Sequence, residues 1–361
     1  MYSSRKQVRV SYVWSMRNDP TIGLDADLGL SAEHWSRASG DGRTRGYRRL
    51  VVDRSFASRS WVAGVSGASV TRAEFPAPAE WSERIAAYLD GQVPEEPARL
   101  AATVVLLRMA ADEAAEGHPT EPEVYLLKRS ATMSFAGGRY AFPGGRVDPR
   151  DSDASVAWAG PSAEEWGARF GCSAADARAL VCAAVRETFE ETGVLFAGPG
   201  ADTVVTSTAD EGWEADRHAL ETRELSLTEL LTRRSLVLRT DLLGAWSRWV
   251  TPAFEPRRYD TAFFIAALPA GQHARDVSGE ADSTVWTTAS QAIADHTAGT
   301  VSMLPPTVTT LREIAPYPTT DSVFGAASER SFKPIMAHVE RHEDGTFWLV
   351  WPSGTTTAYD H

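Results

Sequence analysis

The chain has 361 residues and a mass of 39.2 kDa, enough for one large hydrophobic core or for a core with an appendage. Its 43% hydrophobic and 23% charged residues are ordinary for a globular protein, and its longest apolar run, at 262–269, is too short to cross a bilayer. A net charge of −12 argues against a general binder of nucleic acid or of membrane surfaces.

The first 60 residues differ in charge from the rest of the chain. They hold 11 Lys and Arg against 6 Asp and Glu, and they mix Gly, Ser and Arg without a sustained period. We expect residues 1–75 to be a poorly ordered N-terminal extension or loose arm, with a gene start placed too early as the other interpretation. The segment has no apolar stretch typical of a secretory signal.

The following elements predict a mixed α/β domain. A helix starting at Pro78 and a Pro-containing linker at 94–97 assign residues 76–97 to a helix and linker, and residues 98–361 to the main domain. Strands are predicted at 102–108, 124–128, 139–142, 246–250, 261–268 and 284–287, and a C-terminal hairpin joins 338–342 to 346–351. Helices are predicted from Ser226, at 288–297 and at 306–315, and the segment before Ser226 is predicted to be a loop. Strands with helices on both faces indicate a three-layer α/β/α sandwich.

Three glutamates share one side of a further predicted helix, at roughly 174–192. Glu187, Glu190 and Glu191 stand at positions i, i+3 and i+4, and such like charges destabilise a helix by roughly 0.2–0.5 kcal/mol per pair. A bound hard cation would remove that cost, because carboxylate oxygens suit Mg²⁺ and Mn²⁺. Ser173 is expected to cap the helix and Gly193 to end it. Taken alone, this run of residues is equally typical of a solvated acidic surface.

A glycine-rich turn changes that interpretation. Phe142-Pro143-Gly144-Gly145 precedes the acidic helix, and adjacent glycines allow the backbone to approach a ligand or metal closely. The two segments together resemble the signature of the Nudix hydrolase family, Gly-x5-Glu-x7-Arg-Glu-U-x-Glu-Glu-x-Gly-U, in which U is apolar. Gly145 opens it here, and the second half is supplied by Arg186, Glu187, Phe189, Glu190, Glu191, Gly193 and Val194. The resemblance implies the Nudix-type α/β/α sandwich with a mixed sheet.

The signature is split. Arg186 follows Gly145 by 41 residues instead of 14, so a helical insertion is expected at about 149–173, with a capping box at Ser162-Ala-Glu-Glu165. The middle Glu of the signature has no assignable counterpart, since Asp151 stands six residues after Gly145 and Arg178 eight before Arg186. A split of this kind resembles the branch of the mammalian peroxisomal coenzyme A diphosphatase, and the resemblance covers about residues 100–315.

The resemblance implies divalent-metal-dependent hydrolysis of a diphosphate linkage, with Mg²⁺ or Mn²⁺ as the cofactor. The catalytic residues would be Arg186, Glu187, Glu190 and Glu191. Those three glutamates and the Gly144 carbonyl would hold the metal, together with an acid from a later loop. Glu280 is the candidate for that acid, and a solvated surface acid is the alternative. The general base would be Glu187 or the loop acid.

The favoured substrate is coenzyme A or acyl-coenzyme A, cleaved to 3′,5′-ADP and (acyl-)4′-phosphopantetheine. Another nucleoside diphosphate derivative, such as NADH or ADP-ribose, is the alternative, and a non-catalytic nucleotide-sensing domain is a third hypothesis. Substrate contacts are expected from Gly145, Arg146, Phe135 and one of the adjacent pair Arg257 and Arg258. That arginine would bind the 3′-phosphate, and the other would pair with Glu255 or Asp260.

The two cysteines, Cys172 and Cys182, support neither a zinc site nor a disulfide framework. We therefore expect a reducing compartment and a cytoplasmic location. The expected partner is a small nucleotide-diphosphate substrate, without a membrane or nucleic acid, and a homodimer stays open.

Overall fold

The computed structural model describes residues 74–110, 121–133, 136–277, 279 and 281–352. The expected N-terminal extension lies outside the described residues, except for its last two positions. In chain order the strands are β1 (Glu74–Pro76), β2 (Arg99–Arg108), β3 (Glu123–Arg129), β4 (Tyr140–Ala141), β5 (Gly144–Arg146), β6 (Trp158–Ala159), β7 (Ala197–Gly198), β8 (Val237–Arg239), β9 (Leu243–Val250), β10 (Tyr259–Ala267), β11 (Ala281–Thr288), β12 (Pro334–Ile335), β13 (His338–Arg341) and β14 (Phe347–Val350). The helices are α1 (Ser82–Leu89), α2 (Ala163–Phe170), α3 (Ala174–Thr192), α4 (Glu211–Glu221), α5 (Leu227–Arg233), α6 (Ala289–Thr297), α7 (Pro305–Ile314) and α8 (Thr320–Glu329).

A mixed sheet forms the centre of the domain. Its strands follow the order β11-β3-β2-β10-β9-β12, with β4 paired to β3 and β5 paired to β2. Strand β10 runs parallel to β2 and β12 runs parallel to β9, whereas the pairs β2–β3, β2–β5, β3–β11 and β9–β10 are antiparallel.

The two faces of this sheet bury separate apolar clusters. Because side chains alternate along a strand, Val104 and Leu106 of β2 pack on the side of α2 and α3, while Val105 and Leu107 pack on the side of α1, α6, α7 and α8. Helices therefore cover both faces, and the predicted α/β/α sandwich with a mixed sheet is confirmed. Within the described part of the chain, no helix is both long and apolar enough to span a membrane.

The acidic helix has the predicted bounds. Helix α3 runs from Ala174 to Thr192; the Ser173 side chain accepts the Asp176 N–H, and Gly193 ends the helix with a left-handed φ of 75°. That φ favours glycine, because a side chain there would crowd the backbone. Val185 and Phe189, on the face opposite the glutamates, are fully buried against the sheet.

The insertion before α3 contains the expected helix. Helix α2 begins with the predicted capping box between Ser162 and Glu165, and its rings Trp166 and Phe170 pack against Phe264 of β10. The insertion is thus part of the core on the α3 side.

The expectation of a loop between α3 and Ser226 was wrong. That segment forms α4, capped by the Asp210 side chain, and α4 packs its Trp213 ring edge-on against Phe189 of α3 at 5.9 Å. The sequence of α4 is largely charged, and its few apolar residues include Trp213 and Leu220, which are both buried. Strand β7 of this segment pairs with β8, which follows α5, and β8 also pairs with β6 of the earlier insertion. The three strands form one small sheet.

The segment predicted as a helix and linker packs into the same core. Strand β1 pairs with β14, Ile85 of α1 is fully buried, and Arg84 forms an ion pair with Glu255 at 2.8 Å. The chain from residue 74 to 97 is therefore held at several points along the domain.

Candidate active site

The glycine turn and the acidic helix meet directly. Strand β5 pairs with β2 so that Gly145 lies opposite Ala102, on the side of the sheet that faces α3. A Cβ atom at position 145 would overlap the Glu187 carboxylate. A side chain at position 145 would therefore displace the Glu187 carboxylate from its place in the cluster.

Glu191 ties the two segments together. Its carboxylate accepts the N–H of Gly144 at 2.8 Å, and the residue is buried. The side chain of the third glutamate is thus oriented by the turn, 47 residues earlier in the chain.

Arg186 lies between the other two glutamates. Its Nη1 is 2.8 Å from Glu187 and 3.1 Å from Glu190, and the arginine is buried. One nitrogen therefore draws both carboxylates to the same place, although they are like charges.

The opposite edge of the Arg186 guanidinium binds Asp151. Nε and Nη2 donate to this buried carboxylate at 3.0 and 2.9 Å, and Nη2 also donates to the Arg146 carbonyl at 2.9 Å. Asp151 stands in a 3-10 turn, Pro149–Ser152, where it also accepts the Asp148 N–H at 2.8 Å.

Sequence reasoning left the middle acid of the signature without a counterpart, and Asp151 is the carboxylate that the structure places against Arg186. The spacing of six residues from Gly145 was the available signal. The insertion after it hid that signal, because the two partners are 35 residues apart.

The charges in this cluster do not cancel. The pKa of Glu190 is raised to about 7, chiefly by burial and to a lesser extent by the charge of Glu187, while Arg186 opposes the increase. Burial by itself would lower the pKa of Arg186, but Glu187, Asp151 and Glu190 raise it, so the guanidinium stays charged. One arginine thus serves three carboxylates in a poorly solvated place.

The donor set fits a hard divalent cation in its chemistry. Three carboxylates stand on one side of α3 beside a glycine turn, and carboxylate oxygens are the ligands that Mg²⁺ and Mn²⁺ prefer. Within the described ranges, no three acidic, His or Cys side chains already converge into a closed cage. The Arg186 nitrogen instead holds Glu187 and Glu190, and the incomplete charge balance at Glu190 is what a cation would correct.

The predicted arginine pair divides into two environments. Arg257 is exposed, whereas Arg258 is buried in an ion pair with Glu95 and donates to the carbonyls of Glu96 and Thr251. Arg258 thus pairs with Glu95, and not with Glu255 or Asp260, the two carboxylates predicted for whichever arginine does not meet phosphate. Glu255 forms an ion pair with Arg84 of α1, and Asp260 forms one with Arg248 of the neighbouring strand β9.

The structure describes one of the three remaining predicted residues, Arg146. Its side chain is exposed, and its carbonyl accepts a hydrogen bond from Arg186. Phe135 and Glu280 lie outside the described residues.

A tyrosine next to the cluster was not anticipated. Tyr125 of β3 is buried, and burial raises its pKa, with further increases from the charges of Asp276 and Glu191. Its hydroxyl donates to the Arg275 carbonyl at 3.0 Å. In the sequence, Tyr125 stands in an apolar run of a predicted strand. No local pattern therefore distinguishes it from an ordinary core residue.

Comparisons with known proteins agree with this geometry. A model of the NUDT19 Nudix domain matches residues 167–314. The acyl-coenzyme A diphosphatase NUDT19 of Xenopus laevis is 26% identical over 235 residues, and that of Homo sapiens is 26% identical over 228 residues. Each alignment covers 53% of this chain and 59% and 60% of the respective relative, so the chain spans about six tenths of their length. A crystal structure of a NUDIX hydrolase from Alicyclobacillus acidocaldarius matches with a TM-score of 0.54 and 30% identity, over 66% of this chain and 99% of that one.

Proposed function

This chain belongs to the Nudix hydrolase family, and we propose that it hydrolyses the diphosphate linkage of coenzyme A or acyl-coenzyme A with a divalent metal ion. The observation that carries the proposal is the gathering of Glu187, Glu190 and Glu191 against the Gly144-Gly145 turn. The products would be 3′,5′-ADP and (acyl-)4′-phosphopantetheine.

The choice of substrate is supported by the relatives. Two of them carry the name acyl-coenzyme A diphosphatase, and the matched family model is that of the NUDT19 Nudix domain. The split between Gly145 and Arg186 supports the same substrate, because a split signature resembles the branch of the mammalian peroxisomal coenzyme A diphosphatase.

Glu187, Glu190, Glu191 and the Gly144 carbonyl would hold Mg²⁺ or Mn²⁺. When bound, such an ion screens phosphoryl charge and lowers the pKa of coordinated water. Glycine at position 145 leaves room for the Glu187 carboxylate beside the turn. The hydrogen bond from the Gly144 N–H to Glu191 holds the turn next to α3.

Arg186 and Asp151 would prepare the carboxylates. Arg186 holds Glu187 and Glu190 at one nitrogen, and Asp151 holds the other edge of the same guanidinium. With its position fixed at Asp151, Arg186 would reduce the repulsion between the two glutamates before the ion arrives.

The exposed arginines are the candidates for contact with phosphate. Arg257 and Arg146 both have exposed side chains, and a guanidinium suits bidentate contact with a phosphate group. We assign the 3′-phosphate of coenzyme A to Arg257, because Arg258 is occupied by Glu95 and two carbonyls.

We also infer a cytoplasmic location. Cys172 and Cys182 are free thiols, and burial raises the pKa of Cys182 to about 12, which makes it a poor nucleophile. Free thiols of this kind are typical of a reducing compartment.

A panel assay tests the function. Turnover of coenzyme A, acetyl-coenzyme A, NADH and ADP-ribose is measured with purified full-length protein, with Mg²⁺ and with a chelator. We expect Mg²⁺-dependent release of 3′,5′-ADP from the first two substrates. Activity confined to NADH and ADP-ribose would contradict the substrate assignment, and turnover in the chelator would contradict the metal.

A further inference from the structure

We propose that Arg217 of α4 is a positioning residue for Glu190 and Glu191. The inference deepens the proposed function and depends on it, because it assumes that these two carboxylates hold the metal ion. Arg217 acts through the backbone of α3 and does not touch the reacting groups.

The last turn of α3 needs partners from outside the helix. The last four carbonyls of any α-helix lack an intrahelical N–H, and Glu190 and Glu191 stand within this turn. The Glu190 carbonyl accepts Nη1 of Arg217 at 2.8 Å, and the Thr192 carbonyl accepts the Arg275 N–H at 2.9 Å. The turn that carries two of the carboxylates is therefore held by residues of α4 and of the loop after β10.

The Arg217 guanidinium is itself held in place. The residue is 5% exposed, its Nε and Nη2 bind Glu214 at 2.8 and 2.6 Å, and its Nη1 lies 3.1 Å from Glu221. All of these partners belong to α4, so the fork has little freedom to leave the Glu190 carbonyl. The Trp213 ring against Phe189 fixes the same helix on α3.

One carboxylate links both outside donors. Glu214 also lies 3.4 Å from Nη1 of Arg275, whose Nη2 donates to the Thr208 carbonyl at 3.0 Å. The network Arg217–Glu214–Arg275 thus joins α4, the loop after β10 and the last turn of α3. Loss of Arg217 should therefore change the positions of the Glu190 and Glu191 carboxylates more than it changes the central sheet.

The test measures Mn²⁺ binding by calorimetry on the full-length protein, independently of turnover. We expect Arg217→Met to weaken Mn²⁺ binding about tenfold, as loss of an outer-shell partner typically does. Amide hydrogens at 189–194 should also exchange faster. Arg217→Lys should recover part of the affinity, since an ammonium can still reach a carbonyl.

Arg239→Met is the matched control. Arg239 is 8% exposed and pairs with Asp241 and the Thr203 carbonyl, so the substitution removes an equally buried arginine whose named partners lie off α3. We expect it to lower stability while leaving Mn²⁺ affinity unchanged. An Arg217→Met protein with wild-type Mn²⁺ affinity, or with a loss no larger than that of Arg239→Met, overturns the inference.

If Arg217→Met fails to fold, Arg217→Lys and Glu214→Gln are measured instead. Both should bind Mn²⁺ about threefold more weakly, and unchanged affinity in both overturns the inference.

Two outcomes separate this inference from the proposed function. Wild-type protein that binds no Mn²⁺ overturns the metal proposal and this inference with it. Normal Mn²⁺ binding without coenzyme A turnover, combined with the Arg217 effect, supports the positioning role and removes only the substrate assignment.

Discussion

Arg186 and Arg258 are both buried and ion-paired, yet their surroundings differ in charge. Arg258 pairs with the Glu95 carboxylate and also donates to the carbonyls of Glu96 and Thr251 and to the Met336 sulfur. Arg186 has three carboxylate partners, from Asp151, Glu187 and Glu190.

We infer that this difference separates an anchor from the proposed active site. Around Arg258 the charges cancel, and the ion pair connects the segment before β2 with the residue that precedes β10. Around Arg186 negative charge is in excess, and the pKa of Glu190 is raised to about 7 by burial and by Glu187. A buried charge without a full partner is costly in a folded protein, and such imbalance is characteristic of functional sites.

The largest expected effect follows from removing one charge of the unbalanced cluster. Glu190→Gln should lower kcat/KM for coenzyme A on the order of 10³-fold, because stabilisation by a bound metal ion is worth several kcal/mol. The metal-free fold should persist, since an amide oxygen can still accept the Arg186 hydrogen bond. Turnover and thermal unfolding in a chelator provide the measurement, and a fully active variant would refute the assignment of Glu190.

Asp151, which binds the Nε and Nη2 edge of the Arg186 guanidinium, should affect activity as well as stability. Asp151→Asn should reduce kcat/KM about 10- to 100-fold, because it loosens the arginine that gathers Glu187 and Glu190. Glu95→Gln is the control at Arg258: it removes the corresponding charge from the balanced pair and should leave kcat/KM unchanged. Equal losses of activity in the two variants would remove the distinction between anchor and site.

Substitution of the adjacent arginines sharpens the comparison further. Arg258→Met should lower the free energy of unfolding by about 1–3 kcal/mol without changing KM, because the carbonyls of Glu96 and Thr251 lose a buried donor while the half-exposed Glu95 carboxylate stays solvated. Arg257→Met should raise KM for coenzyme A about tenfold through loss of a charged hydrogen bond. The KM for 3′-dephospho-coenzyme A should stay constant. A KM effect from Arg258→Met alone would reverse the two roles.

The smallest effect concerns pH. The pKa of Glu190 is raised from 4.5 to about 7, so the protonated form is favoured by the folded state. Its contribution to stability is complete below pH 4.5 and is lost as the pH rises through 7, by roughly 1–3 kcal/mol. Denaturant unfolding of metal-free protein at pH 4.5–8 should show this slope, and Glu190→Gln should flatten it. An identical slope in the variant would show that another group titrates.

Local features were predictable from the sequence. The bounds of α3 follow from Ser173, Gly193 and the apolar period between them, all of which lie within the helix or next to it. The core strands follow from short apolar runs for the same reason. Helix α4 was not predicted because it has few apolar residues, and the contact that buries one of them, Trp213 against Phe189, is seen only in the tertiary structure.

The sequence by itself determined the kind of chemistry that this protein supports. The glutamate run and the pair of adjacent glycines are local patterns, and their resemblance to the Nudix signature indicated the chemistry, since the run alone is equally typical of a solvated surface. The tertiary structure decided which carboxylate holds Arg186 and which arginine is an anchor. Those contacts join residues 35 and 163 positions apart, and their geometry is set by the pairing of β2 with β5 and β10 and by the packing of the insertion, which no local pattern encodes.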